Sequence, residues 1–146
     1  MIRHGQMADV SSLATLAQKL WPKHTVDTLE KEIQEAITKP NVAFCLAFTE
    51  NQPIAFAQCQ LRHDYVEGTN SSPVGYLEGI YVRQRYRQQG IAGELLTACQ
   101  TWAKNNHCTE FASDCEIENN IESLKFHLSH GFIEANRLIC FSKQLT

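Results

Sequence analysis

The stretch Arg87-Gln88-Gln89-Gly90-Ile91-Ala92-Gly93 constrains this chain more than any other, because it divides the apolar run Leu77 to Val82 from an amphipathic segment ending near Lys104. A strand, a loop of small residues and a helix in that order point the unpaired first-turn N–H groups of the helix at one spot. Glycine lets the backbone approach a ligand closely, and the helix dipole adds positive potential there. The loop is therefore read as an anion site suited to a phosphate or pyrophosphate. It is not a Walker loop, since Glu94 and Leu95 follow Gly93 where Lys and Ser/Thr are required. Nor is it the dinucleotide fingerprint, which opens a chain-initial βαβ unit, whereas this loop starts past the middle of the chain.

With 146 residues, 43% of them hydrophobic, the chain suffices for one core without cross-links. No repeat, low-complexity tract or composition shift divides it, so a single domain over residues 1–146 is expected. The net charge of −3 argues against nucleic acid or an anionic membrane as partner and suits a cationic substrate. Apolar stretches such as Val42 to Phe48 are too short to span a bilayer, and Met1 to Val10 is neither a signal peptide nor a lipidation site; a cytoplasmic location is expected. Six cysteines occur without a Cys-x-x-Cys pair, most of them inside apolar runs, and read as buried reduced thiols. His127 and His130, one helical turn apart, are the one histidine pair at ligand spacing, and no metal is expected there.

Periodicity predicts a short strand near Ile2 and a helix capped by Asp9 that carries Val10, Leu13, Leu16, Ala17 and Leu20, stopped at Trp21-Pro22. A second helix is capped by Thr25 and carries Leu29, Ile33 and Ile37. Strands Val42 to Phe48 and Ile54 to Leu61 follow, joined by the turn Glu50-Asn51-Gln52-Pro53; the loop Glu67 to Pro73 delivers a third strand, Val74 to Val82. After the phosphate loop and its helix come a strand Glu110 to Ser113, a helix Asn120 to His130 ended by Gly131, and a last strand Arg137 to Lys143. The expected class is α/β with a mixed, mostly antiparallel sheet flanked by helices.

Two acidic side chains stand out against this frame. Gly79 inside the strand Leu77-Glu78-Gly79-Ile80 marks a bulge, and a bulge releases backbone N–H groups that can stabilise negative charge on a carbonyl oxygen. Glu78 is the first candidate for a general base and Asp114, at the end of the neighbouring strand, the second. An alkyl amine, with a pKa of about 8 to about 10, needs such a group to become a nucleophile at neutral pH. The plainer readings are a solvent-facing strand residue for Glu78 and a helix cap or Asx turn for Asp114.

The pattern Arg87-x-x-Gly90-x-Ala92, with this element order and length, resembles the coenzyme A loop of the GNAT superfamily of N-acetyltransferases. Leu20-Trp21-Pro22, Arg62 to Thr69, Ser72 to Val82, Glu110 to Asp114 and Gly131-Phe132 together resemble the small, single-domain aminoglycoside 6′-N-acetyltransferases. The resemblance implies transfer of acetyl from acetyl-CoA to the 6′-amine of an aminoglycoside, hence antibiotic resistance, in a homodimer and without a covalent enzyme intermediate. It implies that Ile80, Tyr81 and Val82 pair with the pantetheine arm, that Arg87, Gln88, Gln89, Gly90, Ile91, Ala92 and Gly93 hold the pyrophosphate, and that Asn119 bonds the pantetheine; Asn119 or Asn120 could equally cap the next helix. It places Trp21 and Tyr65 against the aminoglycoside with Glu78 and Asp114, and makes Asn136 a further, uncharged substrate candidate. Trp21 could equally be a core anchor. His127 stands where many superfamily members carry a Tyr that protonates the leaving thiolate, although a helix-surface role fits it as well. Acetylation of another amine, such as a polyamine or a protein N-terminus, and a non-catalytic acyl-CoA sensor are the alternatives.

Overall fold

In the computed structural model, which describes residues 1–118 and 120–146, five strands lie side by side in chain order. They are β1 (Ile2–His4), β2 (Val42–Thr49), β3 (Gln52–Arg62), β4 (Val74–Val82) and β5 (Phe111–Ser113). The first four pair antiparallel and β5 joins β4 in parallel. A parallel step needs a crossover, and α3 (Ile91–Asn105) supplies it. The mixed, mostly antiparallel sheet flanked by helices is the class expected from the sequence.

Alternation along β2 and β3 splits the core into two layers. Cys45, Ala47, Ala55, Ala57 and Cys59 face Leu95, Leu96 and Cys99 of α3. Phe44, Leu46 and Phe56 face the opposite way, against Leu13, Leu16 and Ala17 of α1 (Val10–Leu20) and Leu29 and Ile33 of α2 (Val26–Ala36). Cys45, Cys59, Cys99 and Cys108 are buried, while Cys115 is half-buried and Cys140 exposed. Contact with Cys99 and burial push the Cys45 thiol up, so it stays a neutral small apolar group.

Local expectations met three corrections. The β2–β3 turn takes only Glu50 and Asn51, both with positive φ (50° and 64°), and Thr49 pairs directly with Gln52, so Pro53 already lies in the strand. Asp9 precedes α1 but does not cap it with its side chain: its carboxylate accepts from the Gln6 amide at 2.7 Å and pairs with Arg3 at 2.7 Å. Thr25, in contrast, caps α2 by accepting from the Thr28 amide at 3.1 Å.

The third correction is the last strand. Residues 137–143 alternate as a strand should, yet they form none, and Leu138, Ile139 and Phe141 are 77%, 78% and 91% exposed. Alternation prepares a segment for a ladder, but a strand also requires a neighbouring edge to pair with, and this segment meets none among the described residues. α4 (Ile121–Ser129) forms as expected, ending at His130 with Gly131 at φ 87°.

Candidate active site

The site begins at a break in β4. Gln58 lies opposite Gly79 and Cys59 opposite Leu77, so Glu78 is the extra residue of a β-bulge. The bulge resets the alternation. Leu77 and Ile80 face α3, whereas Glu78 lines a cleft with Trp21 and Phe44, and a Cβ on Gly79 would sit 2.7 Å from the Trp21 ring. Two consecutive residues therefore look toward α1, and Gly is required at the second because Trp21 occupies the space a side chain would fill.

On its other side β4 pairs with β5 only from Gly75 to Leu77, opposite Phe111 to Ser113. From Glu78 to Val82 it has β3 on one flank and no strand on the other among the described residues. The fork between β4 and β5 is thus open beside the bulge.

Glu78 is neither a free surface residue nor an unpartnered carboxylate. Arg62, at the end of β3, donates to both its oxygens: Nη2 at 2.8 and 2.7 Å and Nε at 3.1 Å. The same guanidinium lies 3.5 Å from the centroid of the Tyr76 ring. The Tyr76 hydroxyl in turn donates to Asp114 Oδ2, so Asp114 closes a chain with Glu78 at the other end. Burial, then the hydrogen bond to Asp114, push the Tyr76 phenol well above its ordinary range and keep it a donor. Asp114 caps no helix, since α4 opens only at Ile121.

The cleft holding Glu78 has a volume of about 430 Å³ and is walled by Trp21, His24, Leu29, Glu32, Ile33, Ala36, Phe44 and Gln58. That is within the range of small-molecule sites, roughly 300 to 1,000 Å³. Trp21 is a core anchor, packing edge-on to Phe56 with ring centroids 6.1 Å apart, and it also lines the cleft. Tyr65 is not in this cleft. It is 77% exposed and lines an adjoining polar hollow with Asn41, Gln60, Arg62, His63 and Asp64, so Arg62 borders both. Asn136 is exposed, and its neighbour Ala135 packs on Gly68, where a Cβ would come within 2.6 Å. The 67–73 loop is fastened by Glu110, whose carboxylate accepts from the Ser71 hydroxyl and from the Asn70 amide at 2.8 Å and is held below the usual carboxylate range by these bonds.

The glycine loop follows β4 through a short 3-10 turn at Gln84–Tyr86. Gly90 is the N-cap of α3 with φ 84° and ψ 2°, a left-handed conformation that favours glycine, and the space around it is open. The amides of Ile91, Ala92 and Gly93 then occupy the first turn, where no intrahelical acceptor reaches them. Gln88, also left-handed at φ 61°, and Gln89 are exposed beside them. Arg87 braces the loop, its Nε donating to the Val82 carbonyl at 2.8 Å. Gly93 is close to α4, because a Cβ there would meet His130 Nε2 at 3.0 Å.

His127 lies at the fork rather than on an outer helix surface. Its Nδ1 is 2.7 Å from the Ser123 carbonyl, an acceptor to which Nδ1–H donates, and Nε2 is 2.8 Å from Ser113 Oγ. Ser113 Oγ is also 3.3 Å from the carbonyl of Leu77, the last residue of β4 that pairs with β5. Asn119 lies outside the described residues. Asn120 is the N-cap of α4 but makes no side-chain capping bond.

Arg62 and Tyr76 were not singled out as site residues from the sequence. The signal was present: Tyr76 precedes Glu78 by two, so it shares a strand face with it, and Arg62 ends the partner strand.

Comparison with known proteins matches this architecture. The model of the acetyltransferase (GNAT) family matches residues 9–132. An aminoglycoside N(6′)-acetyltransferase type 1 of Salmonella typhimurium (strain LT2) is 41% identical over 129 residues, covering 88% of each chain. One of Acinetobacter baumannii is 40% identical over 145 residues, covering 99% of this chain and 96% of the relative. Among solved structures, aminoglycoside N-acetyltransferase AAC(6′)-Iy in complex with CoA superposes with a TM-score of 0.93 at 38% identity, covering 99% of this chain and 95% of that one. AAC(6′)-Iy in complex with the bisubstrate analog CoA-S-monomethyl-acetylneamine gives a TM-score of 0.92 at 38% identity, covering 99% and 98%. The family match spans the bulged β4, the open fork and the glycine-capped α3, and the chain belongs to the GNAT acetyltransferase family.

Proposed function

We propose that this protein is an aminoglycoside N(6′)-acetyltransferase, moving acetyl from acetyl-CoA to the 6′-amine of an aminoglycoside and so conferring resistance. The observation that carries this reading is the cleft beside the bulge, where Glu78 and the Trp21 ring face a space large enough for an amino sugar. Aromatic faces suit a sugar ring bearing cationic amines. The relatives of this name, matching nearly the whole chain, support it.

Acetyl-CoA when bound supplies the acyl group activated as a thioester. The residues fit it: the left-handed Gly90 and the amides of Ile91, Ala92 and Gly93 suit a pyrophosphate, with Arg87, Gln88 and Gln89 flanking, and the unpaired flank of Ile80, Tyr81 and Val82 suits the amides of a pantetheine arm. Asn119 is assigned to the same arm by its position in the family pattern. A backbone N–H freed at the bulge donates to the carbonyl oxygen as it gains charge. The acceptor nitrogen forms its bond to the acyl carbon as the carbon–sulfur bond breaks. Its surplus proton passes to Glu78, directly or through water, with Asp114 as the second carboxylate; the sulfur takes a proton from water or from His127 at the fork. Tyr65 and Asn136 border the outer end of the acceptor path. No metal or enzyme nucleophile takes part in this reading.

No helix among the described residues is long and apolar enough to cross a membrane. The free cysteines support a cytoplasmic location, where thiols stay reduced. The exposed apolar side chains of Ile133, Leu138, Ile139 and Phe141 support a homodimer in which this segment finds its pairing edge on a second copy. Light scattering is expected to give twice the chain mass of 16.6 kDa, and a monomeric mass removes the dimer.

The function is tested by release of free thiol from acetyl-CoA in the presence of tobramycin, kanamycin or spermidine. Turnover is expected with the two aminoglycosides and not with spermidine. Preference for spermidine moves the acceptor to polyamines, and tight coenzyme A binding without turnover makes the chain a sensor.

A further inference from the structure

We propose that Arg62 and Tyr76 are positioning residues that join Glu78 and Asp114 into one unit, so that the acceptor amine meets two carboxylates already fixed relative to each other. The proposal rests on the acetyltransferase reading above for its kinetic consequences, but the tie itself is a property of the free protein.

Two observations carry it. Arg62 grips both oxygens of Glu78 with three contacts of 2.7 to 3.1 Å, which fixes the plane of the carboxylate and not merely its distance. Its other side is pressed on the Tyr76 ring at 3.5 Å, and the Tyr76 hydroxyl holds Asp114. Tyr76 is itself 7% exposed and cannot follow a moving partner. Each link is held from both ends.

Charge explains why such a strut is needed. Two carboxylates flanking one Arg–Tyr pair repel each other and, left to flexible side chains, would turn apart into water. Arg62 offsets one of the two charges, and Tyr76, kept neutral by burial, gives Asp114 a donor without adding charge. The group then carries one net negative charge, which an incoming ammonium neutralises. A carboxylate offers about four lone-pair sites, so Glu78 retains room for the substrate while Arg62 stays in place. Orientation fixed before binding is where remote residues contribute to rate, because a misplaced catalytic group costs rate without weakening cofactor binding.

Three variants separate this role from simple packing. Tyr76→Phe keeps the ring under Arg62 and removes only the hydroxyl; Arg62→Gln removes the grip; Arg62→Lys keeps the charge but not the two-pronged geometry. Turnover with the amine that wild type accepts is expected to fall about 10-fold in kcat for Tyr76→Phe and for Arg62→Gln, as for loss of a hydrogen bond to a charged group, with calorimetric coenzyme A affinity unchanged. Arg62→Lys should restore part of the loss. The double variant Arg62→Gln/Tyr76→Phe should fall no more than about two-fold below the worse single one, because the two act as one unit. A second readout needs no turnover: the Arg62 Nε–H resonance in a proton–nitrogen spectrum is expected to shift in Asp114→Asn, although Asp114 makes no hydrogen bond to Arg62. An unmoved resonance overturns the strut, as do losses that multiply in the double variant. If wild type acetylates no amine, the acetyltransferase reading fails while the resonance still decides the tie.

Discussion

Glu78→Gln is expected to lower kcat/KM for an aminoglycoside by at least about 100-fold, the lower end of what a positioned general base contributes. Glutamine keeps the shape of the side chain and can still accept a hydrogen bond from Arg62, but it cannot take a proton or offer a charge to an ammonium group. Coenzyme A binding should be unaffected, since the glycine loop and the Ile80 to Val82 flank do not depend on this carboxylate. The check is steady-state thiol release with calorimetry of coenzyme A alongside. A variant that keeps wild-type kcat would shift the base to Asp114 or to water, and the Asp114→Asn variant under the same assay would then carry the larger loss.

A second large effect is expected from the smallest possible change. In Gly79→Ala the new methyl would stand 2.7 and 2.8 Å from Trp21 ring carbons and 2.9 Å from Leu20 Cδ2. Trp21 is not free to shift, because its ring packs edge-on against the fully buried Phe56. Overpacking of this kind costs about 1 to 3 kcal/mol, which for a domain of this size lowers Tm by about 3 °C or more. The variant should also raise KM for the aminoglycoside, as the wall of the cleft is pushed outward. Trp102 is the second of the chain's two tryptophans, so thermal melting and tryptophan fluorescence in a Trp102→Phe background report on stability and on the Trp21 ring separately. Unchanged Tm and unchanged Trp21 emission would show that the ring has room the structure does not give it.

Much of this arrangement is legible in the sequence. The bulge is readable from a glycine in an apolar strand, the start of α3 from the small residues Gly90, Ala92 and Gly93, and the strand Val74–Val82 from its flanking turn signals. These are local features, each decided by a few neighbouring residues and the backbone preferences of glycine and proline. Thr25 belongs with them, since a cap depends only on the three residues that follow it.

What escaped the sequence depends on residues far apart in it. The side chain of Asp9 has the composition of a helix cap, yet Arg3 and the Gln6 amide take it, and only the folded N-terminus brings them together. Residues 137–143 carry a correct strand pattern without a ladder, because pairing is a property of two segments and not of one. Arg62 and Glu78 are 16 positions apart, and Tyr76 and Asp114 are 38 apart. The strands of the sheet, its three long helices, the β4 bulge and the glycine that opens α3 follow from the sequence, because they rest on short-range backbone and periodicity rules. The tertiary structure alone decided that Glu78 is gripped by Arg62, that Trp21 lies over Gly79, and that Tyr65 borders a neighbouring hollow, because side-chain partners are chosen by strand register and packing across the fold.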